Sequence, residues 1–414
     1  SFYDSNSAFL SVQKIFNNKH SLNFAALYAP NRRGKVSPNT QEVYDLKGIK
    51  YNEYWGYHDG EKRNSRVKRV VEPLLLLNHD WSIDEKSSLE TSIGYQFGEM
   101  GHSRLDYAGG ANPSPAYYQD LPSYFLADTD GPDYEGAYIA QENFINNGQI
   151  NWNRIYDANL TNNQANLNAA YVLYEDRVDD TQLTINSAYN REINENIKVT
   201  ASANYRNLVS DNFAEISDML GGYSYSNIDS FDYLDYNLLS PNSIVSEGDK
   251  FKYHYKMNAE EMSLFSMINF SFNKLEFYVA GDITNTTYQR DGIFENEANA
   301  GNSAGKGDEI SFDGYGIKAG ITYKFSGKHI LDFNSAYLQK APSIRNTFTN
   351  SRVNQNVVGS DINGLINDSP ITEEKIMSFD ANYIFRTPIF TGRLTGFYSE
   401  VKDANEISFY YADG

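Results

Sequence analysis

The segment Ser88–Gly98, with the sequence SLETSIGYQFG, alternates apolar or small and polar side chains along its length. In an extended chain Leu89 and Ile93 fall on one face, and Glu90 and Gln96 fall on the other. Its length approaches the roughly 9 to 11 residues with which a tilted strand crosses a bilayer. The segment therefore predicts a β-strand with one lipid-facing side and one polar side.

The same alternation recurs at residues 197–206, 314–325 and 377–385. Short polar turns join the strands in pairs, near Asn17–His20, Ser82–Lys86, Asn194–Asn196, Asn273–Lys274, Ser326–Lys328 and Thr387–Pro388. Longer connections separate the pairs, at about Asn31–Ser65, Glu99–Gln164, Ser210–Glu261, Asp291–Asp308 and Pro342–Pro370. This regular sorting of connection lengths is typical of membrane barrels, with short periplasmic turns and long extracellular loops.

We therefore predict an all-β fold, a transmembrane up-and-down antiparallel β-barrel of which about twelve strands are visible. Residues 1–414 are expected to form part of one barrel domain, placed in the outer membrane as a multi-pass protein. The lipid-facing set is expected to include Leu89, Ile93, Tyr95, Ile197, Val199, Ile317, Ile321 and Phe379. The lumen-facing set is expected to include Glu90, Gln96, Lys198, Asn204, Lys318 and Asp380. Leu74–Leu77, which is apolar on both faces, suggests a lumen that packs against an internal plug.

Composition excludes several classes of function. The net charge of −19 argues against nucleic acid as a partner, because phosphate binding requires clustered Lys and Arg. The chain has no Cys, and its six His are scattered without a pair at i and i+4. We find no catalytic constellation and expect no enzyme activity and no resident cofactor, apart from the calcium considered next.

One acidic turn within the second long connection has the chemistry of a calcium site. Asp128, Asp130, Asp133 and Glu135 lie within eight residues around a Gly-Pro turn. Carboxylates are ligands that calcium prefers, although the spacing does not match an EF-hand loop. A solvated acidic loop is the alternative interpretation.

Aromatic residues are concentrated in the long connections. Rings with polar edges suit sugar or peptide ligands, which combine apolar faces with hydrogen-bonding rims. The candidate ligand-binding residues are Tyr118, Tyr124, Phe125, Trp152, Tyr223, Tyr225 and Tyr233. We expect them to converge over the mouth of the lumen, and the alternative is that they only pack the loops into a cap.

The first long connection and the residues that follow it carry a cluster of basic side chains, in contrast to the acidic second connection. This basic cluster could meet lipopolysaccharide phosphates at the outer leaflet, and ordinary solvation of a loop is the alternative. Its basic residues are Arg32, Arg33, Lys35, Lys62, Arg63 and Arg66.

Two segments near the end resemble TonB-dependent outer-membrane receptors. Lys340–Arg345 (KAPSIR) closes a strand with an Ala-Pro turn, and Ser369–Phe379 (SPITEEKIMSF) opens the next one. Leu394–Ala404 is similar to the strand that follows in that family, with its Tyr and Lys-Asp exit. The hairpin Asp176–Arg206 and the Asn- and Tyr-rich loops resemble the Bacteroidota type, which includes SusC-like and RagA-like importers.

The resemblance implies a barrel of about 22 strands around an N-terminal plug. The chain would then be a middle section, without the plug, the TonB box or the C-terminal strands. It also implies TonB-dependent import of a glycan, peptide or chelate, with TonB bound through the plug and a SusD-like surface lipoprotein as a further partner. The alternative of a different class is a receptor-like barrel that serves as a structural subunit of an outer-membrane assembly or secretion complex. An outer-membrane enzyme or adhesin is disfavoured, because no paired acid–base site is found.

Overall fold

The computed structural model describes residues 2–127, 129, 131–359 and 371–408. Strands dominate and one sheet contains 16 of them. The strands are β1 (Tyr3–Ser5), β2 (Ala8–Ile15), β3 (His20–Tyr28), β4 (Asn31–Gly34), β5 (Trp55–His58), β6 (Glu61–Asn64), β7 (Val67–Val71), β8 (Leu74–Asp84), β9 (Ser87–Tyr107), β10 (Tyr171–Asn194), β11 (Ile197–Asp218), β12 (Tyr225–Ser226), β13 (Ile244–Val245), β14 (Lys250–Ser271), β15 (Leu275–Gly292), β16 (Gly305–Lys306), β17 (Ile310–Lys324), β18 (His329–Lys340), β19 (Glu374–Arg386) and β20 (Thr391–Lys402).

The large sheet is an antiparallel meander in which each strand pairs with the next along the chain. The segments β1–β2, β3–β4 and β7–β8 each continue one strand, and β16 is a two-residue addition to β15. The sheet therefore contains about twelve barrel strands and six tight turns, as predicted. In the described part of the chain the sheet is open, with β1 and β2 at one edge and β20 at the other. The all-β barrel prediction is confirmed.

The central strands are much longer than a bilayer requires. β9, β10, β11 and β14 contain 21, 24, 22 and 22 residues. At about 3.3 Å per residue they span roughly 70–80 Å, whereas about 9 to 11 residues suffice to cross a membrane. The ends that carry the long connections therefore project well beyond the lipid.

The backbone is irregular near the middle of the long strand β9. β9 pairs with β8 up to Gln96 and with β7 from Glu99 onward. Gly98 lies between these two stretches with a φ of +139°. A Cβ at this position would come within 1.9 Å of the Val71 carbonyl oxygen. Only glycine allows the two backbones to approach this closely.

Within the described residues, the long connections contain four α-helices that the alternation pattern did not predict: α1 (Gln41–Lys47), α2 (Pro122–Leu126), α3 (Tyr134–Asn147) and α4 (Trp152–Gln164). The Asp133 side chain caps α3 and the Asn151 side chain caps α4. Among the described residues, no helix is both long enough and apolar enough to span a membrane.

The predicted limits of two long connections were wrong. The structure continues β9 to Tyr107 and begins β10 at Tyr171, so the connection predicted at Glu99–Gln164 is displaced at both ends. β11 likewise continues to Asp218, and β14 begins at Lys250. These extensions lie outside the lipid, so both of their faces carry charged residues. The alternation of apolar and polar residues therefore no longer identifies them as strands.

Candidate functional site

The pairing register assigns each barrel residue to one of two faces. Ile93 lies opposite Ile185, which lies opposite Tyr205, and Tyr205 lies opposite Met262. This row is apolar, and its side chains lie on the outer face. All eight residues predicted to face lipid lie on this face, and all six residues predicted to face the lumen lie on the other. The chain is thus a wall of an outer-membrane β-barrel.

The lumen face combines polar networks with apolar side chains. Asn334 Nδ2 donates to Asp332 and Asp380, and Asn382 Nδ2 donates to the same two carboxylates. Leu76, Phe265 and Met267 lie on this same face, by register. Apolar side chains inside a barrel suit a lumen that is filled by other parts of a protein.

On the outer face, ion pairs replace the apolar side chains beyond Phe97. Arg177 contacts Glu99, Asp179 at 2.9 Å and Glu215 at 3.7 Å. Arg69 contacts Glu99 on one side and Glu175 at 3.4 Å on the other. A charge is costly in hydrocarbon, so this belt of ion pairs places the upper boundary of the lipid between Phe97 and Glu99.

Strand alternation divides the basic cluster of the first long connection into two groups. Arg32 pairs with Arg69 on the outer face, whereas Arg33 pairs with Lys68 on the lumen face. Arg32, Lys62 and Arg63 line an outer cavity of about 620 Å³ that also includes Glu175 and Asp218. Lys35 and Arg66 belong with the lumen group. A single lipopolysaccharide-facing cluster of six basic residues was therefore the wrong grouping.

We call the connection between β9 and β10, residues 108–170, the cap, and the barrel strands the wall. Helix α4 of the cap packs against the outer side of the wall, above the lipid. Ile155 and Trp152 lie in one apolar cluster with Leu105, Tyr171 and Leu173, which the register places on the outer face. Trp152 is fully buried, and its Nε1 donates to the Arg63 carbonyl oxygen at 3.2 Å. The Arg63 guanidinium stacks 4.6 Å from the Trp152 ring centroid.

Asn159 fastens this cap to the barrel. Its side chain is fully buried, and Nδ2 donates to the carbonyl oxygens of Tyr171, Met219 and Leu220 at 2.8, 3.1 and 3.0 Å. Its Oδ1 accepts from the amides of Ala170 and Tyr171 at 2.8 and 3.0 Å. One side chain therefore joins α4, the start of β10 and the end of β11.

The connection between β11 and β14 folds to the opposite side, over the lumen face. Tyr225 and Phe348 pack with Tyr174, Ile216 and Phe251, whose register positions face the lumen. The Tyr225 hydroxyl donates to Asp106 Oδ2 at 3.0 Å. Burial, together with the nearby Asp106 carboxylate, raises the pKa of the Tyr225 phenol, so this group acts as a neutral donor. This region is a lumenal roof, defined by residues 223–249 and 341–359.

The structure does not bring the seven predicted aromatic residues together. Tyr118, Tyr124 and Phe125 form an edge-to-face chain in the cap, with ring centroids 5.8 and 5.6 Å apart. Tyr223 and Tyr233 belong to the lumenal roof, and both are 80% exposed. The remaining two, Trp152 and Tyr225, are buried. The expected convergence over the lumen mouth was wrong, because Trp152 packs against the outer face of the barrel and Tyr225 packs against the lumen face.

The proposed calcium ligands are only partly covered by the structure. Asp128 and Asp130 lie outside the described residues. Asp133 Oδ1 accepts from the Gly136 amide at 2.8 Å, as the N-cap of α3, and Glu135 lies in the first turn of that helix. In the ranges that are described, no group of three or more His, Cys, Asp or Glu residues could hold a metal ion.

Comparison with known proteins agrees with the barrel. No protein-family model and no curated protein matches this sequence. The closed form of the ferric-catecholate import receptor Fiu from E. coli K12 matches with a TM-score of 0.54 at 10% identity, over 97% of this chain and 52% of that one. The ferric citrate transporter FecA in its unliganded form matches with a TM-score of 0.57 at 8% identity, over 96% and 43%.

The siderophore receptor PiuA from Acinetobacter baumannii matches with a TM-score of 0.52 at 11% identity, over 95% of this chain and 49% of that receptor. The chain thus spans about half the length of these solved structures. At such low identity the likeness establishes the fold, that of outer-membrane receptor and transporter barrels.

Proposed function

We propose that this chain is part of the barrel of a TonB-dependent importer that takes up a nutrient across the outer membrane. The observation that carries the proposal is the lumenal roof, which covers the polar inner face while the outer face stays apolar. A folded roof over a lumen provides a place to capture a solute before transport. Fiu, FecA and PiuA, which share the fold, are import receptors and transporters.

The other parts of an importer belong to the same proposal. The two open edges of the sheet, β2 and β20, are largely exposed along their length. Because unpaired edges are not tolerated in lipid, we propose that further strands of the parent protein close the barrel. A plug would fill the lumen and carry the contact with TonB. The resemblance to Bacteroidota SusC-like receptors supports a glycan, a peptide or a chelate as the class of nutrient.

A further contact with lipid is proposed on the outer face, above the apolar side chains of the strands. The wall lies in the outer membrane, and its apolar face contacts lipid. We propose that Arg32 and Lys62 also meet phosphates of lipopolysaccharide, because they line the outer cavity just above the lipid boundary. Arg63 is held by Asp218 at 2.5 Å and by the Tyr156 hydroxyl at 2.7 Å, so it contributes less.

Ligand capture is assigned to the exposed rings of the roof. Tyr223 and Tyr233 present large rings with polar edges, and exposed rings of this kind dominate many binding surfaces. Replacing both by Ala should lower uptake of the nutrient at least about tenfold, while the barrel stays folded. Radiolabelled uptake by whole cells measures this effect, and heat-modifiable migration in gels confirms folding.

The matched control is the pair Tyr134→Ala and Tyr138→Ala, on α3 of the cap. These rings are 74% and 64% exposed and lie on α3, outside the lumenal roof, so uptake should be unchanged. Unchanged uptake in both double variants would contradict the assignment of the roof as the capture site.

A structural subunit remains the second candidate, and one observation favours it. Tyr134, Tyr138 and Ile139 are all exposed on α3, and together they offer apolar area to a partner. A surface lipoprotein of the SusD type or another outer-membrane subunit would suit this surface. If the α3 variants lose a partner on co-purification and no variant affects uptake, the scaffold function is favoured over import.

A further inference from the structure

The lumen face carries a group of basic side chains on three adjacent strands. Arg33 lies opposite Lys68, and Lys68 lies opposite His102. Lys35 and Arg66 continue the ladder by one pair, since the Lys35 amide donates to the Arg66 carbonyl oxygen at 2.8 Å. Arg104 follows His102 two residues later on β9. We call these six residues, Arg33, Lys35, Arg66, Lys68, His102 and Arg104, the lumenal basic patch.

Neighbouring carboxylates balance the positive charge of this patch only in part. Glu72 lies close enough to Lys68 to interact with its charge, but among the described residues Arg104 alone in the patch has a salt bridge. Asp176 is paired with Arg104, at 2.9 Å, and it is shared with Arg352 at 3.7 Å and with the Tyr253 hydroxyl at 2.7 Å. Within the described ranges, Arg33, Lys35, Arg66 and Lys68 form no salt bridge. Lys35 Nζ lies 2.9 Å from His102 Nδ1, where it donates to a neutral imidazole.

The environment disfavours the charges of Lys35 and Arg66. Burial, followed by the nearby charges of Arg66, Arg104 and Lys68, lowers the pKa of Lys35. Burial, followed by Arg104, lowers the pKa of Arg66 as well. Like charges held together in this way destabilise the protein unless an anion neutralises them. The chain as a whole carries a net charge of −19, so an excess of cations here is a local exception.

The outer face of the same strands shows that the fold can balance such charges. Arg69 follows Lys68 in the sequence but contacts two carboxylates, Glu99 and Glu175. Arg177, next to Asp176, contacts three. Arg69 and Arg177 are therefore paired with carboxylates on the outer side, whereas Lys68, the neighbour of Arg69, forms no salt bridge on the lumen side in the described part of the chain.

We propose that the lumenal basic patch binds a solute that carries two or more negative charges, such as phosphate or carboxylate groups. Adjacent strands lie about 4.8 Å apart and alternate residues about 7 Å apart, so the patch measures roughly 10 by 7 Å. This area matches a polyanion with several charged groups better than a single small ion. The proposal rests on the proposed import function, for which it names the chemical class of the nutrient.

The test uses the intact outer-membrane protein, purified in detergent, with tripolyphosphate as the probe. Isothermal titration should show binding that weakens markedly between 50 and 300 mM NaCl. The double variant Arg33→Gln/Lys68→Gln should bind at least about tenfold more weakly, because two charge-assisted contacts are lost. Lys68→Arg should retain the affinity. No salt-dependent binding by the unaltered protein would overturn the proposal, and this includes the case in which an acidic protein segment already covers the patch.

The matched control is Arg32→Gln, one residue from Arg33 but on the outer face. Its affinity for tripolyphosphate should stay within about twofold of the unaltered protein, and an equal loss in both variants would overturn the proposal. Without the probe, the unfolding temperature of the double variant should be unchanged or higher, because like charges have been removed. A lower unfolding temperature would assign the patch to structure and overturn a binding role.

Failure of this proposal can be separated from failure of the import function. If the roof variants Tyr223→Ala and Tyr233→Ala lose uptake but the protein does not bind tripolyphosphate, import stands and the anionic class is wrong. If tripolyphosphate binds as described but the protein supports no uptake, the patch stands and the import function is wrong.

Discussion

Ala203→Arg should destabilise the barrel by about 2–4 kcal/mol in a lipid bilayer. Ala203 lies on the exposed outer face of β11, opposite Ser187 on β10 and Leu264 on β14. It lies near the middle of the apolar band, where the guanidinium would enter hydrocarbon or distort the bilayer to reach water. Urea unfolding of the intact protein in phospholipid vesicles, followed by tryptophan fluorescence, measures the change in the free energy of unfolding.

The matched control is Asn204→Arg, on the next residue of the same strand. Asn204 lies on the lumen face, opposite Asn186 and Ser263. An Arg there meets polar side chains and water, so it should change the free energy of unfolding by less than about 1 kcal/mol. Equal costs at the two positions would contradict the assignment of the faces.

Asn159→Asp should loosen the cap by at least about 3 kcal/mol while the barrel stays intact. The substitution preserves shape but places a carboxylate oxygen where Nδ2 now donates to the carbonyl oxygens of Tyr171, Met219 and Leu220. None of the described contacts of this buried side chain is with a cation, so nothing there compensates for the new charge. Hydrogen exchange at the amides of Ala170 and Tyr171, which now donate to Asn159 Oδ1, measures the local effect.

Asn162→Asp is the control for this prediction. Asn162 lies three residues further along α4, and its Nδ2 donates to the Asn168 carbonyl oxygen at 2.8 Å in an exposed setting. Water can solvate the new carboxylate there, so the loss should be about 1 kcal/mol or less. If Asn159→Asp protects the Ala170 and Tyr171 amides as well as Asn162→Asp does, Asn159 does not fasten the cap.

The barrel wall could be predicted from the sequence because two simple constraints act on it. Lipid requires apolar side chains at every second residue, as at Ile93 and Tyr95, and this leaves a readable period of two. Tight turns such as that at Glu195 require polar residues within a short connection. Both signals are local, so the turns and the number of strands were recovered without knowledge of tertiary contacts.

The extracellular half was predicted less well because lipid no longer constrains it. Residues such as Arg177 and Asp179 lie in regular strands, but in water their faces are stabilised by ion pairs, and the sequence there resembles a loop. The helices are fixed by tertiary packing, as Trp152 shows, since its partners lie at distant positions in the sequence. Propensity alone does not identify such short helices.

The candidate site was missed for a related reason. The lumenal basic patch draws on residues from Arg33 to Arg104, and only strand pairing brings them together. A usable signal was present in the neighbouring pairs Arg32–Arg33 and Lys68–Arg69. Because successive residues of a strand point to opposite faces, each pair must place one cation on either side of the wall. The aromatic residues misled the prediction, because their number says nothing of the side to which each connection folds.

The most direct test of the account is the accessibility of single cysteines on intact cells. The sequence contains no native Cys, so labelling reports only the introduced residue. Glu142 is exposed on α3 in the cap, and Glu195 is exposed in the turn between β10 and β11. With a membrane-impermeant maleimide, Glu142→Cys should react on whole cells, whereas Glu195→Cys should react only after the outer membrane is disrupted. Reaction of Glu195→Cys but not Glu142→Cys on intact cells would contradict an outer-membrane barrel with its long connections outside the cell.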